Sequence, residues 1–496
     1  MSKLVKLAKE TAIYGVSSIV GKFLNWCLVP LYAYVLTNTG DYGIVTNLYG
    51  WTALLLVILT YGMETGFFRF ANKNAANADN VYAASLTSVG LTSLLFAAVT
   101  ILFSHSLANM LGYEKHPEFI AMLGTVVAMD AFGAIPFAYL RYKNRPYMFA
   151  GLKLVMIFFN IFFNLFFLLG CPWLHLHAPS LVDWFYRPDY GVGYIFVANL
   201  ISTTAVTLCL APFFIHIKLR FNWPLLKQIL AYSLPLLLLG VAGIMNQTVD
   251  KILFPVIYPN HVEAMRLLGI YGANSKIAMV MMMFTQAFRF AYEPFVFAQH
   301  KDSDSKKAYS DAMKYFIIFS LILVLVMTFY IDILKYVIGP EYRQGLSVVP
   351  IILASYLFQG VFFNLSLWYK LIDKTMWGAY LSGIGLVFVL GLNVLLVPTM
   401  GYFGSAWAAF VAYFVIMVIS YFFGQKYFPI NYQLKAIGKY VLLAVIIFAL
   451  GWFVSFHIAI FTYLFRTFLL LIFVLYALQH DFQLTKMPFI NKLLHK

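Results

Sequence analysis

Apolar residues run along this chain in long stretches, and short polar or turn-forming clusters interrupt them. A run of about 20 apolar residues is what a helix needs to cross the hydrocarbon core of a bilayer. Most of the runs are apolar on both helix faces, so periodicity does not divide them; Gly, Pro and charge clusters do. Fourteen segments result, at 11–36, 44–66, 81–104, 118–140, 149–170, 192–215, 228–256, 267–293, 313–337, 347–369, 376–397, 404–424, 438–456 and 459–479. The longest gap, 171–191, carries Trp173, His175, His177, Asp183, Trp184 and Arg187. It reads as an interfacial aromatic belt. His175 and His177 lack a third ligand nearby, so no metal is expected there. The pattern predicts an all-α integral membrane protein with about 14 transmembrane helices.

Composition agrees. Of 496 residues, 62% are hydrophobic and 11% charged, and mean hydropathy is +0.82. Soluble domains are about one quarter charged, so a soluble enzyme, a disordered chain and a fibrous repeat are all excluded. The net charge of +15, from 34 Lys+Arg against 19 Asp+Glu, would in a soluble protein point to nucleic acid. In a membrane protein it reflects basic cytoplasmic loops. With the N-terminus inside, 24 of the 34 basic residues fall on inside segments, Lys153, Lys314 and Lys370 among them. Outside loops hold five (Lys115, Arg187, Arg266, Lys335 and Arg343), and the spans hold five. One helix more or fewer would scramble this bias, so both termini are expected in the cytoplasm of a bacterial inner membrane. Lys3, Lys6 and Lys9 precede the first apolar run, but no small-residue cleavage pattern follows, and the run reads as an uncleaved span. Cys27, Cys171 and Cys209 are too few and scattered for a disulfide framework or a metal site.

The spans fall into two halves. Tyr42-Gly43 opens the second span and Tyr271-Gly272 the eighth; Glu64 and Glu293 follow their tyrosines by equal distances, and Phe68 and Phe297 follow the glutamates likewise. Pro30 and Pro255 lie near the ends of spans 1 and 7, which sets Asn25 opposite Asp250. Six helices per half means that both halves enter from the same side, which is a parallel repeat. The expected division is 1–217 for the first half, 218–437 for the second, and 438–496 for two additional helices and a cytoplasmic tail.

An ionisable side chain in hydrocarbon costs several kcal/mol unless it meets a partner or water. At 1.5 Å of rise per residue, Lys22 sits roughly 17 Å and Lys276 roughly 14 Å into their spans. With Lys251, Asn25, Asn246, Gln247 and Asn274 they compose a candidate cationic, hydroxyl-friendly substrate site. Asp250 and mid-span Asp130 are candidates for ion coupling. Glu64, Arg69, Arg289 and Glu293, near the cytoplasmic ends of spans 2 and 8, read either as a rim of ion pairs or as a gate. Arg466 lies outside the repeat and is expected to be structural. No P-loop, nucleophile elbow or zinc motif is present, so neither enzyme activity nor a cofactor is expected. Transport driven by an ion, potential or substrate gradient is.

Several segments resemble a known family. Tyr42–Tyr49 with Gly62–Phe70, Gly243–Lys251, Leu268–Lys276 with Gln286–Pro294, and Tyr402–Ala409 are similar to Wzx-type oligosaccharide flippases of the multidrug/oligosaccharidyl-lipid/polysaccharide exporter superfamily. The resemblance implies a six-plus-six-plus-two helix plan. It also implies translocation of undecaprenyl-diphosphate-linked oligosaccharide to the periplasmic leaflet by alternating access, beside polymerase and glycosyltransferase partners. Lipid II flippases, resembling relatives in mechanism, use cavity arginines where lysines stand here. A cation-coupled multidrug exporter, or a lipid II-type flippase, is the alternative.

Overall fold

The computed structural model describes residues 15, 19–73, 75–215, 222–299, 305–454 and 456–481. Both expected cytoplasmic termini, and the start of the first span, lie outside the described residues. Within them the chain is helical, with no strand. Fourteen apolar helices appear, one for each predicted segment: α1 (Ile19–Val35), α2 (Thr39–Lys73), α3 (Ala78–Leu102), α4 (Pro117–Tyr142), α5 (Pro146–His177), α6 (Gly193–Cys209), α7 (Trp223–Ile257), α8 (His261–Glu293), α9 (Ser305–Phe329), α10 (Pro340–Leu371), α11 (Met376–Met400), α12 (Tyr402–Tyr427), α13 (Leu434–Phe453) and α14 (Ala459–His480). All but α1 and α6 are long enough to cross a membrane by length and composition. This is a multi-pass membrane protein.

Several helices overrun the predicted segments. Pro117, Pro146 and Pro340 begin theirs, because proline's missing N–H is no loss in the first turn. Pro136, Pro235, Pro255 and Pro398 sit inside helices, where membrane proteins tolerate them. Asn38 caps α2, accepting a bond from the Gly40 amide at 3.0 Å. Tyr61 and Gly62 (φ 32° and 72°) break α2 with a left-handed turn.

The contacts divide the chain into two units. The first holds residues 1–273 and 378–408, the second residues 274–377 and 409–496. In the first unit, Phe67, Val81, Ala131 and Ile135 of α2, α3 and α4 share a buried core. The opening turns of α2 and α8 touch backbone to backbone. A Cβ at Gly43 would lie 1.9 Å from the Met265 carbonyl oxygen, and one at Gly269 would lie 1.8 Å from that of Thr39. Buried Asn47 ties α2 to α7, donating to the Lys251 carbonyl at 2.7 Å while it accepts from the Tyr113 hydroxyl at 2.8 Å.

In the second unit, α9, α13 and α14 form one apolar core around Phe316, Leu325, Ile447, Leu469 and Phe473. Polar pins hold both ends of this trio. Arg466 donates to the Gly451 carbonyl (3.0 Å), the Phe329 carbonyl (2.9 Å) and the Asp332 carboxylate (3.0 Å). It thereby satisfies the bare carbonyls at the ends of α9 and α13. At the opposite end, Asp481 accepts from Lys314 and Tyr440, and Gln433 bridges Lys314 to Asp311. Burial would raise the Asp481 pKa, but the bonds from Lys314 and Tyr440 outweigh it and hold the carboxyl below its usual range.

Two stability effects are expected. Gly269→Ala should cost about 1–3 kcal/mol through overpacking. Gly383→Ala, whose methyl would meet nothing within 4 Å, should leave the unfolding temperature of the purified protein unchanged or slightly raised. Arg466→Met strands two carbonyls and should cost about 1–3 kcal/mol. Arg466→Lys, with one ammonium for three acceptors, should recover part of the loss in the same thermal scan.

Candidate functional site

The sequence-derived candidates fall into three groups. The first surrounds the end of α7 in the first unit. Lys251 lies against both oxygens of buried Asp250 (2.9 Å each) and also donates to the Gln247 carbonyl at 3.0 Å. Tyr271 of α8 donates to Asp250 at 2.8 Å. Asn246 donates to the Ala242 and Ser382 carbonyls. Asp250 and Lys251 therefore neutralise each other, and neither presents net charge. Nearer the chain start, Asn25 accepts from Asn160 at 3.2 Å, and Asn164 joins Asn160 to Tyr32. Lys22, on α1, is half-buried.

The second group lines a cavity of about 470 Å³ among α2, α4, α5 and α6. Glu64, Asp130, Arg141 and Lys153 all face it, with Thr60, Thr203 and Thr207. Glu64 and Arg141 pair at 2.6 Å. Arg141 lies over the Phe68 ring at 5.1 Å, and Lys153 over Phe137 at 4.1 Å. The Thr203 hydroxyl and the Arg141 Nε are buried with no hydrogen-bond partner. Two carboxylates and two cations share this space, so it is polar and balanced in charge. Arg69 does not line it; its guanidinium stacks over Tyr232 at 4.1 Å.

The third group is in the second unit. Arg289 and Lys370 both donate to the same oxygen of Glu293, at 3.2 and 3.0 Å, and Arg289 lies over Phe363 at 4.5 Å. Asn274 is fully buried and donates to the Tyr342 carbonyl at 2.8 Å. Lys276, half-buried on α8, belongs to this unit, whereas Lys22, Asn25, Asn246, Gln247 and Lys251 belong to the first.

Sequence reasoning missed Lys153 and Lys370 as site residues and counted both among the inside segments. Lys153 lies within the predicted span 149–170 but was counted with the inside charges; it stands on α5 and lines the cavity together with Asp130. A clearer signal was present. The spacing that relates Glu64 to Glu293 also relates Gly40 to Gly269, Arg141 to Lys370, Asn144 to Asp373 and Arg145 to Lys374. The structure makes the same equivalence independently. Asn144 and Asp373 are both left-handed (φ 52° and 55°), and each unit pairs its glutamate with the basic residue near the end of its cognate helix. The side chain of Phe297, matched to Phe68, lies outside the described residues. Among the described residues no three metal-binding side chains cluster; His175 pairs with Asp183 at 2.6 Å.

No protein-family model and no curated protein matches the chain. Solved structures do. "Lipid II flippase MurJ, inward closed conformation" superposes with a TM-score of 0.72 at 14% identity, over 94% of this chain and 98% of that one. An inward-facing "multidrug resistance MATE family transporter of the MOP superfamily" gives 0.64 at 15% identity, over 86% and 96%. The "MATE multidrug transporter DinF-BH" gives 0.60 at 16% identity, over 84% and 95%. At these identities the likeness establishes the fold, which this chain shares with transporters of that superfamily.

A water-filled cavity predicts selective labelling. In a chain with Cys27, Cys171 and Cys209 replaced by alanine, Lys153→Cys should react with a small hydrophilic thiol reagent about tenfold faster than Leu154→Cys. Residue 154 is exposed at the helix surface, in hydrocarbon where thiolates do not form. Equal rates would mean the cavity is dry.

Proposed function

We propose that this protein is a flippase of the bacterial inner membrane. It carries undecaprenyl-diphosphate-linked oligosaccharide from the cytoplasmic to the periplasmic leaflet for surface polysaccharide assembly, by alternating access. The observation that carries the reading is the sign of the buried charge. The cluster on α8 and α10 holds two cations for one carboxylate, and helix rise counted along the sequence puts Lys22 and Lys276 near mid-depth. Cations in a low-dielectric site suit phosphate and repel the cationic drugs of a multidrug exporter. The fold shared with a lipid II flippase supports it. So do the amides of Asn25, Asn246, Gln247 and Asn274, which suit a hydroxyl-rich glycan.

In this reading Lys22 and Lys276 hold the diphosphate, and the lipid tail stays among bilayer lipids. Asp130 or Asp250 takes the coupling ion. Glu64, Arg69, Arg289 and Glu293 form the cytoplasmic rim. A polymerase and glycosyltransferases act on either side of the step. The structural likeness to MurJ favours one second reading, in which the cargo is lipid II.

Deleting the gene and extracting lipid-linked intermediates separates these readings. Accumulated undecaprenyl-diphosphate-oligosaccharide with loss of surface glycan is expected, and its mass identifies the cargo. Accumulated lipid II would favour the second reading. New sensitivity to cationic dyes without accumulation would point to drug export. Complementation with a Lys22→Ala, Lys276→Ala double variant at normal expression should restore less than about one tenth of transport, given at least 1.4 kcal/mol lost per decade. Full restoration would remove the two lysines from the diphosphate site.

A further inference from the structure

The two units carry the same Glu–cation pair, yet they differ by one residue beside it. In the first unit Glu64 has a single cation bound to it, Arg141. The position one helical turn earlier is Thr60, whose hydroxyl is satisfied by the Leu56 carbonyl at 2.9 Å. In the second unit the matching position is Arg289, and Glu293 therefore holds two cations. A strut between two helices needs one cation. The second adds a positive charge that no carboxylate in the cluster balances.

The geometry leaves this surplus available. Arg289 and Lys370 converge on one oxygen of Glu293. The guanidinium lies over Phe363, which fixes its plane and leaves its edge to acceptors. Its Nε is buried with no partner. The three side chains are each about one third exposed (34%, 31% and 30%), so they are partly desolvated and still reachable. A planar fork beside a point charge is the combination that binds phosphate oxygens well.

We propose that Arg289 and Lys370 form a phosphate-binding site of which Glu293 is the resident counter-ion. An arriving phosphate displaces the carboxylate from the two cations, and Glu293 takes them back when it leaves. The site's chemistry stands on the geometry alone; that the phosphate is the cargo's diphosphate rests on the flippase reading. The twin cluster around Glu64 is balanced in charge and is not such a site.

The test is pyrophosphate binding to the full chain in phosphatidylcholine nanodiscs, by titration calorimetry. Arg289→Gln and Lys370→Gln are each expected to weaken binding tenfold or more, with Lys370→Arg keeping most of it. Glu293→Gln should tighten it severalfold, since the resident anion is gone. Lys426→Gln, on the exposed end of α12, controls for general loss of charge. A strut predicts the opposite for Glu293→Gln: weaker or unchanged binding with a lowered unfolding temperature. That result, or unchanged binding in both cation variants, would overturn the proposal. Replacing the lipid by phosphatidylglycerol distinguishes the source. Lys370-dependent competition would assign the site to a lipid phosphate, and no competition to the soluble or cargo phosphate. Pyrophosphate binding that persists in a protein shown not to move lipid-linked glycan would sink the flippase reading and leave this site standing.

Discussion

Hydrocarbon offers no hydrogen bonds, and nearly everything in this structure follows from that. Backbone groups must be satisfied within each span, which leaves helices as the only element. Charged side chains must meet a counter-charge, a carbonyl or water. The chain uses each solution once or more. Lys251 turns back onto Asp250 beside it, Arg466 closes over carbonyls of two helix ends, and Lys314 meets Asp481. The charges that line the cavity, Glu64, Asp130, Arg141 and Lys153, and the partly exposed pair Arg289 and Lys370 are the ones that a structural explanation does not exhaust.

Helix number and order were readable from hydropathy because a spanning helix is long and uniform, and each of the fourteen segments has its helix. What hydropathy misjudged was where helices begin. Proline looks like a break in a soluble sequence, but Pro146 starts α5 and Pro235 lies within α7. Lys153 was missed for a different reason: it falls inside the predicted span 149–170 yet was counted with the inside charges. The candidate residues were found by depth alone, and depth says nothing about direction. Asp250 and Lys251 share a level and cancel, whereas Arg289 and Lys370 lie far apart in sequence and add. Partner choice depends on which helices touch, and one chain's hydropathy does not hold that information.

The internal repeat carries more than architecture. Along the matched stretches the halves keep two glycines of the opening helix turns (Gly40 and Gly43, matched by Gly269 and Gly272), the paired glutamates Glu64 and Glu293, and the left-handed turn after the fourth span of each. They part company in the middle of the helices, where Asp130 faces Gln359 in the alignment and Lys153 faces Ser382. The shared positions are those that shape the bundle ends. The divergent ones differ in what each half holds: ionisable groups line the first half's cavity, and the second half carries the surplus cation beside Glu293.

The unbroken spacing between residues 40–145 and 269–374 has a consequence for how such a chain can change. The matched positions are in register, and the interval between them holds six of the apolar helices, an even number. A single recombination between the two copies would remove six helices and leave every later helix crossing in its present direction. An inverted repeat has no such cut. The left-handed turns at Asn144 and Asp373 mark equivalent seams where an exchange of modules would preserve both sidedness and loop geometry.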